Sequence, residues 1–130
     1  IDAIATDHAP HASHLKEQPL DQAPPGMLGL ETALALALTE LNMETHAVLA
    51  ALSWNPARIA GVGDRHGRPI AVGEPANVAI FDPTHEWVVD RDVVASKSKN
   101  TPYHGRTLRG KVRHTVFAGQ VVVRDGVAQR

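Results

Sequence analysis

No cysteine occurs in the sequence, so disulfides and thiolate-bound metals are excluded. An excess of either charge is lacking too. Lys and Arg number 13 against 14 Asp and Glu, the formal net charge is -1, and no long block of one sign is present. No nucleic-acid or anionic-membrane partner is therefore expected. Long apolar runs are missing: the longest lies around residues 34–38, far short of the ~20 that a membrane-spanning helix needs. There is no signal-peptide pattern, no internal repeat and no low-complexity stretch, and a soluble, cytoplasmic setting is the expectation. An initiator Met is absent as well. The chain opens on Ile1-Asp2-Ala3-Ile4-Ala5-Thr6, a strand-like run already under way, which suggests a segment of a longer protein.

What is present reads as globular. Hydrophobic residues make up 43% and charged residues 21% of 130 positions, enough for a small core and too apolar for a disordered chain. Residues 1–6 are β-branched or small and predict a buried, parallel-type strand. Residues 7–27, with Pro10, Pro19, Pro24, Pro25 and Gly26, predict a long loop, and long loops in compact domains tend to carry function. The spacing of Leu30, Ala33, Leu34, Ala37, Leu38 and Leu41 predicts a helix over 29–42, with Glu31 in its first turn favouring the dipole. A second helix is predicted over 46–53 with Thr45 as cap. A short third one starts at Asn55-Pro56, with Asn as cap and Pro in the first turn, and ends at Gly61. Beyond that the chain turns β-prone: runs at 77–81, 86–89, 111–117 and 120–124 predict strands, the last two joined at Ala118-Gly119 as a hairpin.

The chemistry concentrates where the first strand stops. Asp7 ends it, and His8, His11 and His14 follow. In α/β barrels the reacting groups sit at the C-terminal ends of strands, and a carboxylate there can bind a metal ion or accept a proton. Pro10 prevents a helical i, i+4 pairing, so Asp7 and His11 can converge from a turn. An Asp with a His four residues on is common by chance, and Asp7 capping a turn is the simpler explanation. The strand before it and the long loop after it favour a site. His46, His66, His85, His104 and His114 are scattered among polar residues and read as surface or packing residues; Trp54 and Trp87 read as core or interface.

The segment Ala5-Thr6-Asp7-His8-Ala9-Pro10-His11 resembles the signature at the end of the eighth barrel strand of dihydroorotases, in the bacterial class with His at the second position. Ala23-Pro24-Pro25-Gly26-Met27-Leu28-Gly29-Leu30-Glu31-Thr32, Asn55-Pro56-Ala57-Arg58-Ile59, Gly73-Glu74-Pro75-Ala76-Asn77, Asp82-Pro83 and Ser98-Lys99-Asn100-Thr101-Pro102-Tyr103 are similar to further blocks of that family. The resemblance implies an α/β fold: the C-terminal portion of an amidohydrolase (β/α)8 TIM barrel in residues 1–62, then the C-terminal part of a small β-sandwich in residues 63–130. It implies Asp7 as metal ligand and general base, and His11 as the group binding the substrate carboxylate. Pro25 and Gly26 would give backbone contacts to the substrate ring, and two Zn2+ ions would serve each active site. The implied reaction is the reversible ring closure of N-carbamoyl-L-aspartate to dihydroorotate. The implied partners are that small-molecule substrate, a second copy in a homodimer, or aspartate transcarbamoylase.

Other parts of that pattern are missing. The family draws a His-x-His pair, a bridging carboxylated Lys and two further His from earlier strands. This chain has no His-x-His, and Lys16, Lys97, Lys99 and Lys111 end no convincing buried strand. The chain by itself is therefore expected to be inactive. Two alternatives stay open: another cyclic amidohydrolase, such as an allantoinase or hydantoinase, and a non-catalytic dihydroorotase-like subunit. His11 weighs against the first, because a neutral hydantoin needs no carboxylate-binding group. Retention of Asp7 and His11 weighs against the second.

Overall fold

A computed structural model describes residues 1–129. The element order is α1 (Ser13–Lys16), α2 (Ala33–Glu40), α3 (Thr45–Leu49), a π-helical turn (Ala50–Trp54), α4 (Asn55–Ile59), then β1 (Val78–Val88), β2 (Thr107–Phe117), β3 (Gln120–Arg124) and β4 (Val127–Ala128). The four strands form one antiparallel sheet in sequence order.

The strand predicted over residues 1–6 is not formed. These residues are exposed or half-buried and join no ladder among the described residues; their amides have lateral strand neighbours nowhere in the sheet. One anchor holds the run: the Ile4 N–H donates to the Ala51 carbonyl at 2.9 Å.

Helix α2 is shorter than its apolar pattern predicts. Leu30 to Thr32 form a turn before it, and Leu41 leaves it in extended geometry. Its apolar residues do not lie on one face. Ala35 packs with Val89 and Leu108, while Ala37 and Leu38 pack with Val48, Ile4, Leu34 and Phe81. The helix is thus gripped between the sheet and the next helix. Burying a side chain such as Leu108 or Val48, both fully inaccessible, contributes roughly 1.5–3 kcal/mol each. Gly110, at φ 100°, lets β2 approach α2: a Cβ there would lie 2.5 Å from Leu38 Cδ1. The Thr39 hydroxyl accepts the Arg109 N–H at 2.8 Å and fixes the same junction. Glu31 does not serve the dipole of α2. Its carboxylate accepts the N–H groups of Ala95 (2.9 Å) and Ser96 (3.1 Å) and pins that loop.

The two helices predicted around 46–53 and from Asn55 are one continuous rod from Thr45 to Ile59. Asn55 is not a cap: it sits in helical geometry, and its N–H reaches back five residues to Ala50. Pro56 explains the wider turn. A proline ring collides with the carbonyl four residues earlier, and widening the turn relieves it. Gly61 ends the rod as predicted, at φ 68°, with Gly61 N–H on Arg58 and Val62 N–H on Ala57, the paired bonds of a Schellman motif.

The predicted runs at 77–81 and 86–89 are one strand, β1, interrupted by a bulge. Asp82 faces Lys111 and Glu86 faces Arg109, so four steps on β1 match two on β2. The Asp82 carboxylate holds the bulge by accepting the Thr84 N–H (2.9 Å), the Thr84 hydroxyl (2.8 Å) and the His85 N–H (3.1 Å). β2 begins at Thr107, earlier than predicted. The hairpin at Ala118-Gly119 is as predicted, with φ values of 48° and 81°, and Asp125-Gly126 repeats that geometry before β4. No helix among the described residues is long and apolar enough to cross a membrane.

Candidate active site

Asp7 has its backbone in the left-handed region, φ 45°. That conformation is uncommon outside glycine, and Asp tolerates it better than most. Its carboxylate is exposed, and it accepts no hydrogen bond among the described residues. A free carboxylate on such a turn is suited to bind a cation or to take up a proton.

His8 plays a different part. Its Nδ1 accepts the Gly29 N–H at 3.0 Å and the Leu30 N–H at 3.3 Å, ahead of α2. An accepting Nδ1 carries no proton, so the ring is held in one tautomer and clamps the Asp7 turn to residues 29–30. The Ala9 N–H donates to the Met27 carbonyl at 2.9 Å alongside it. Gly29 is obligatory here, because a Cβ would sit 2.7 Å from the Thr6 carbonyl oxygen.

His11 is half-buried, and its Nε2 lies 2.9 Å from the Pro25 carbonyl oxygen. A carbonyl only accepts, so Nε2 bears the proton. The structure therefore brings His11, Pro25 and Gly26 together. Gly26, at φ 117°, is the residue that allows it: a Cβ there would come within 2.5 Å of Ala9 Cβ and 3.3 Å of His11 Nε2. The three consecutive carbonyls of this loop are all engaged. Lys16 Nζ donates to Pro24 (2.9 Å) and Gly26 (3.2 Å), and His11 takes Pro25 between them. Prolines have no N–H, so the Gly26 N–H is the donor the loop can still offer a ligand. Among the described residues the Asp7 carboxylate makes no hydrogen bond or ion pair to this cluster.

Two contributors carry little signal of their own in the sequence: Lys16 ends no buried strand, and Asn100 stands within a block similar to the family's. Asn100 Nδ2 donates to the Ala9 carbonyl (2.8 Å) and the Gly26 carbonyl (3.4 Å), and Oδ1 accepts the His11 N–H (3.1 Å). Its own carbonyl accepts the Leu28 N–H at 3.1 Å. An open groove of about 800 Å³ borders the loop, lined by Lys16, Gly26, Met27, Lys99, Asn100 and Thr101 among others. Asp7 and His11 do not line it, so groove and carboxylate are separate features.

Among the described residues no three His, Asp or Glu side chains are placed to hold a metal together. Asp7 fits such an ion as a single ligand. His14, His46 and His66 are exposed and apart from it. His85 approaches the Arg113 guanidinium (3.2 Å), and His104 and His114 sit near Asp90 and Asp125 (3.8 and 3.7 Å), in keeping with surface and packing roles. Trp87 packs against the core with its Nε1–H on the Gly110 carbonyl (2.9 Å), and Lys111 lies over its ring. Burial there holds the Lys111 ammonium below its usual range. Arg68 binds Glu74 at the approach to the sheet and holds that carboxyl low.

The family model for the amidohydrolase family matches residues 1–122. The chain is similar to a dihydroorotase of Mycobacterium leprae, 47% identical over 133 residues that cover 95% of this chain and 30% of the relative. A dihydroorotase of Sulfurihydrogenibium is 44% identical over 128 residues, covering 96% of this chain and 30% of the relative. Among solved structures, the L-hydantoinase (dihydropyrimidinase) from Arthrobacter aurescens superposes with a TM-score of 0.86 at 29% identity, covering 100% of this chain and 30% of that one. The chain thus spans about 30% of the length of the relatives it matches. By the match over residues 1–122 and these identities, the chain belongs to the amidohydrolase family.

Proposed function

We propose that this chain supplies the Asp7 turn and the substrate loop of a dihydroorotase, interconverting N-carbamoyl-L-aspartate and dihydroorotate in the cytoplasm. The carrying observation is the closed arrangement of His11 on Pro25 beside Gly26, in a chain whose Asp7 carboxylate accepts no hydrogen bond among the described residues. Similarity to dihydroorotases over nearly the whole chain supports the choice of substrate. In this reading residues 1–62 belong to the last strand and outer helices of a (β/α)8 barrel, and residues 63–130 to a small β-sandwich. The absence of a ladder partner for residues 1–6 is what a barrel strand would show without its neighbours.

In the hydrolytic direction water adds to the ring carbonyl carbon, the carbon–nitrogen bond breaks, and the departing nitrogen takes a proton. Asp7 is the group to receive the water's proton and return it to that nitrogen. Two zinc ions belong to the reading; bound zinc supplies Lewis acidity and lowers the pKa of water to about 7. Asp7 is the ligand this chain would contribute. The substrate carboxylate would accept from Nδ1 of a doubly protonated His11 whose Nε2–H stays on Pro25, and the Gly26 N–H would meet the ring. The reading extends to a homodimer or a complex with aspartate transcarbamoylase.

The test is a substrate panel on the polypeptide expressed from its complete coding sequence. Dihydroorotate should give a kcat/KM well above those of hydantoin and allantoin, and the reverse order would overturn the assignment. Hydantoin hydrolysis is the second reading, favoured by the superposition on a hydantoinase.

A further inference from the structure

We propose that Asn100 is a positioning residue that sets the distance between His11 and the Gly26 loop, and thereby the affinity for the substrate carboxylate. The inference rests on the dihydroorotase reading for its kinetic consequence, but not for its structural one. Asn100 lies between β1 and β2, 89 residues from His11 in sequence. Its amide behaves like a peptide unit laid between two chain segments. On one side it takes both polar groups it can reach in the His11 turn, the Ala9 carbonyl and the His11 N–H; on the other it reaches the Gly26 carbonyl. Only an uncharged amide suits this position: a carboxylate could accept from His11 but would face two carbonyls with no proton to give.

The loop it holds has little freedom left. Gly26 is in a backbone conformation that other residues avoid, with no room for a Cβ against Ala9. Lys16 ties the loop through the Pro24 and Gly26 carbonyls, and Asn100 ties the Gly26 carbonyl to the His11 turn. Asn100 is itself held in place, since its carbonyl accepts the Leu28 N–H and Glu31 pins the nearby backbone of Ala95 and Ser96. Every one of these bonds positions main chain or the His11 turn. Both Nδ2 protons are taken by main-chain carbonyls and Oδ1 by the His11 N–H, so the residue acts on substrate through His11 and Gly26.

The experiment compares Asn100→Ala and Asn100→Asp with the unaltered full-length protein. By hydrogen exchange, peptides spanning residues 8–16 and 22–30 should lose protection together in both variants, less at His11 in Asn100→Asp, where a carboxylate oxygen can still accept its N–H. Unchanged exchange in either peptide overturns the proposal, whatever the substrate is. By kinetics, KM for dihydroorotate should rise by about tenfold or more while kcat changes far less. The double variant Asn100→Ala, His11→Ala should have the KM of His11→Ala alone, because the effect runs through that ring. A KM within twofold for Asn100→Ala, or penalties that add fully in the double variant, would show a merely structural role and sink the inference. Loss of protection with no dihydroorotate turnover by the unaltered protein would refute the functional reading and leave the positioning role supported.

Discussion

The N–H of Ile4 donates to the carbonyl of Ala51 because Pro56 has no N–H to offer it. In the π turn the Asn55 N–H bonds five residues back to Ala50, and the next amide, which would serve Ala51, is the proline nitrogen. A carbonyl freed inside a helix becomes the anchor of the segment leading to Asp7.

Restoring that amide should therefore loosen a site far from it. In Pro56→Ala either the new N–H takes the Ala51 carbonyl within the π turn, or the turn tightens to ordinary α geometry and the Asn55 N–H takes it. Faster hydrogen exchange at Ile4 is expected, with helix content kept or increased. Unaltered protection at Ile4 would contradict the link.

Gly26→Ala places a Cβ against Ala9 and at a φ that alanine resists. Strain of this kind costs on the order of 1–3 kcal/mol where the surroundings hold the conformation. Weaker substrate binding should follow, with a smaller loss of global stability than the strain itself if the loop opens. Calorimetry and KM on the same variant separate the two effects.

Gly110→Ala tests the contact between sheet and helix. The added Cβ meets Leu38 Cδ1, and the site has a left-handed φ as well. A fall in stability of about 1–3 kcal/mol is expected from overpacking, read as a lower denaturation midpoint. Pairing it with Leu38→Ala should recover the steric part and leave the backbone part, so the double variant should lose less than the sum of the singles.

Asp82 should make the bulge of the sheet sensitive to acid. Hydrogen bonds from the Thr84 backbone, then its hydroxyl, hold its carboxyl below the ordinary range, with the His85 N–H and the Arg113 charge adding to them. A depressed carboxyl stabilises the fold above its unfolded value, and that contribution is lost as the pH falls through the depressed value. The bulge at 82–86 should therefore open in acid before the rest of the sheet, and Asp82→Asn should flatten the acid limb. Amide chemical shifts of Thr84 and His85 between pH 5 and about 2 report it directly.

Zinc should bind this chain weakly when it is expressed alone. Closed zinc sites use about four protein ligands, and catalytic ones about three. Asp7 offers one, and no group of three candidate ligands forms among the described residues. Tight zinc uptake measured by titration calorimetry would mean that ligands gather here in a way this geometry does not contain.

Much of this was legible in the sequence, for local reasons. Gly61 had to end a helix, and Ala118-Gly119 had to turn a hairpin, because each role is set by a positive φ in a few neighbouring residues. Asp7, His11, Pro25 and Gly26 could be picked out by resemblance, and the fold draws the last three together. What stayed hidden depends on partners remote in sequence. Residues 1–6 have the composition of a strand, but a strand exists only with a neighbour to bond. Asp82-Pro83 looks like a break, yet the Asp82 side chain satisfies the amides beyond it and the strand continues. Glu31 looks like a dipole residue until the loop at 95–96 arrives to claim its carboxylate. Nothing within five residues of Asn100 announces that its amide would lie between His11 and Gly26.

The 89-residue separation between His11 and Asn100 also has a consequence in time. During synthesis the Asp7 turn leaves the ribosome long before its latch exists, by roughly 4–18 s at ordinary elongation rates of about 5–20 residues per second. Closing a loop of that length costs entropy that local contacts cannot recover early. The substrate loop is thus among the late parts of this chain to reach its working shape, and a ribosome stalled between α4 and β2 would display the whole signature without a fixed site.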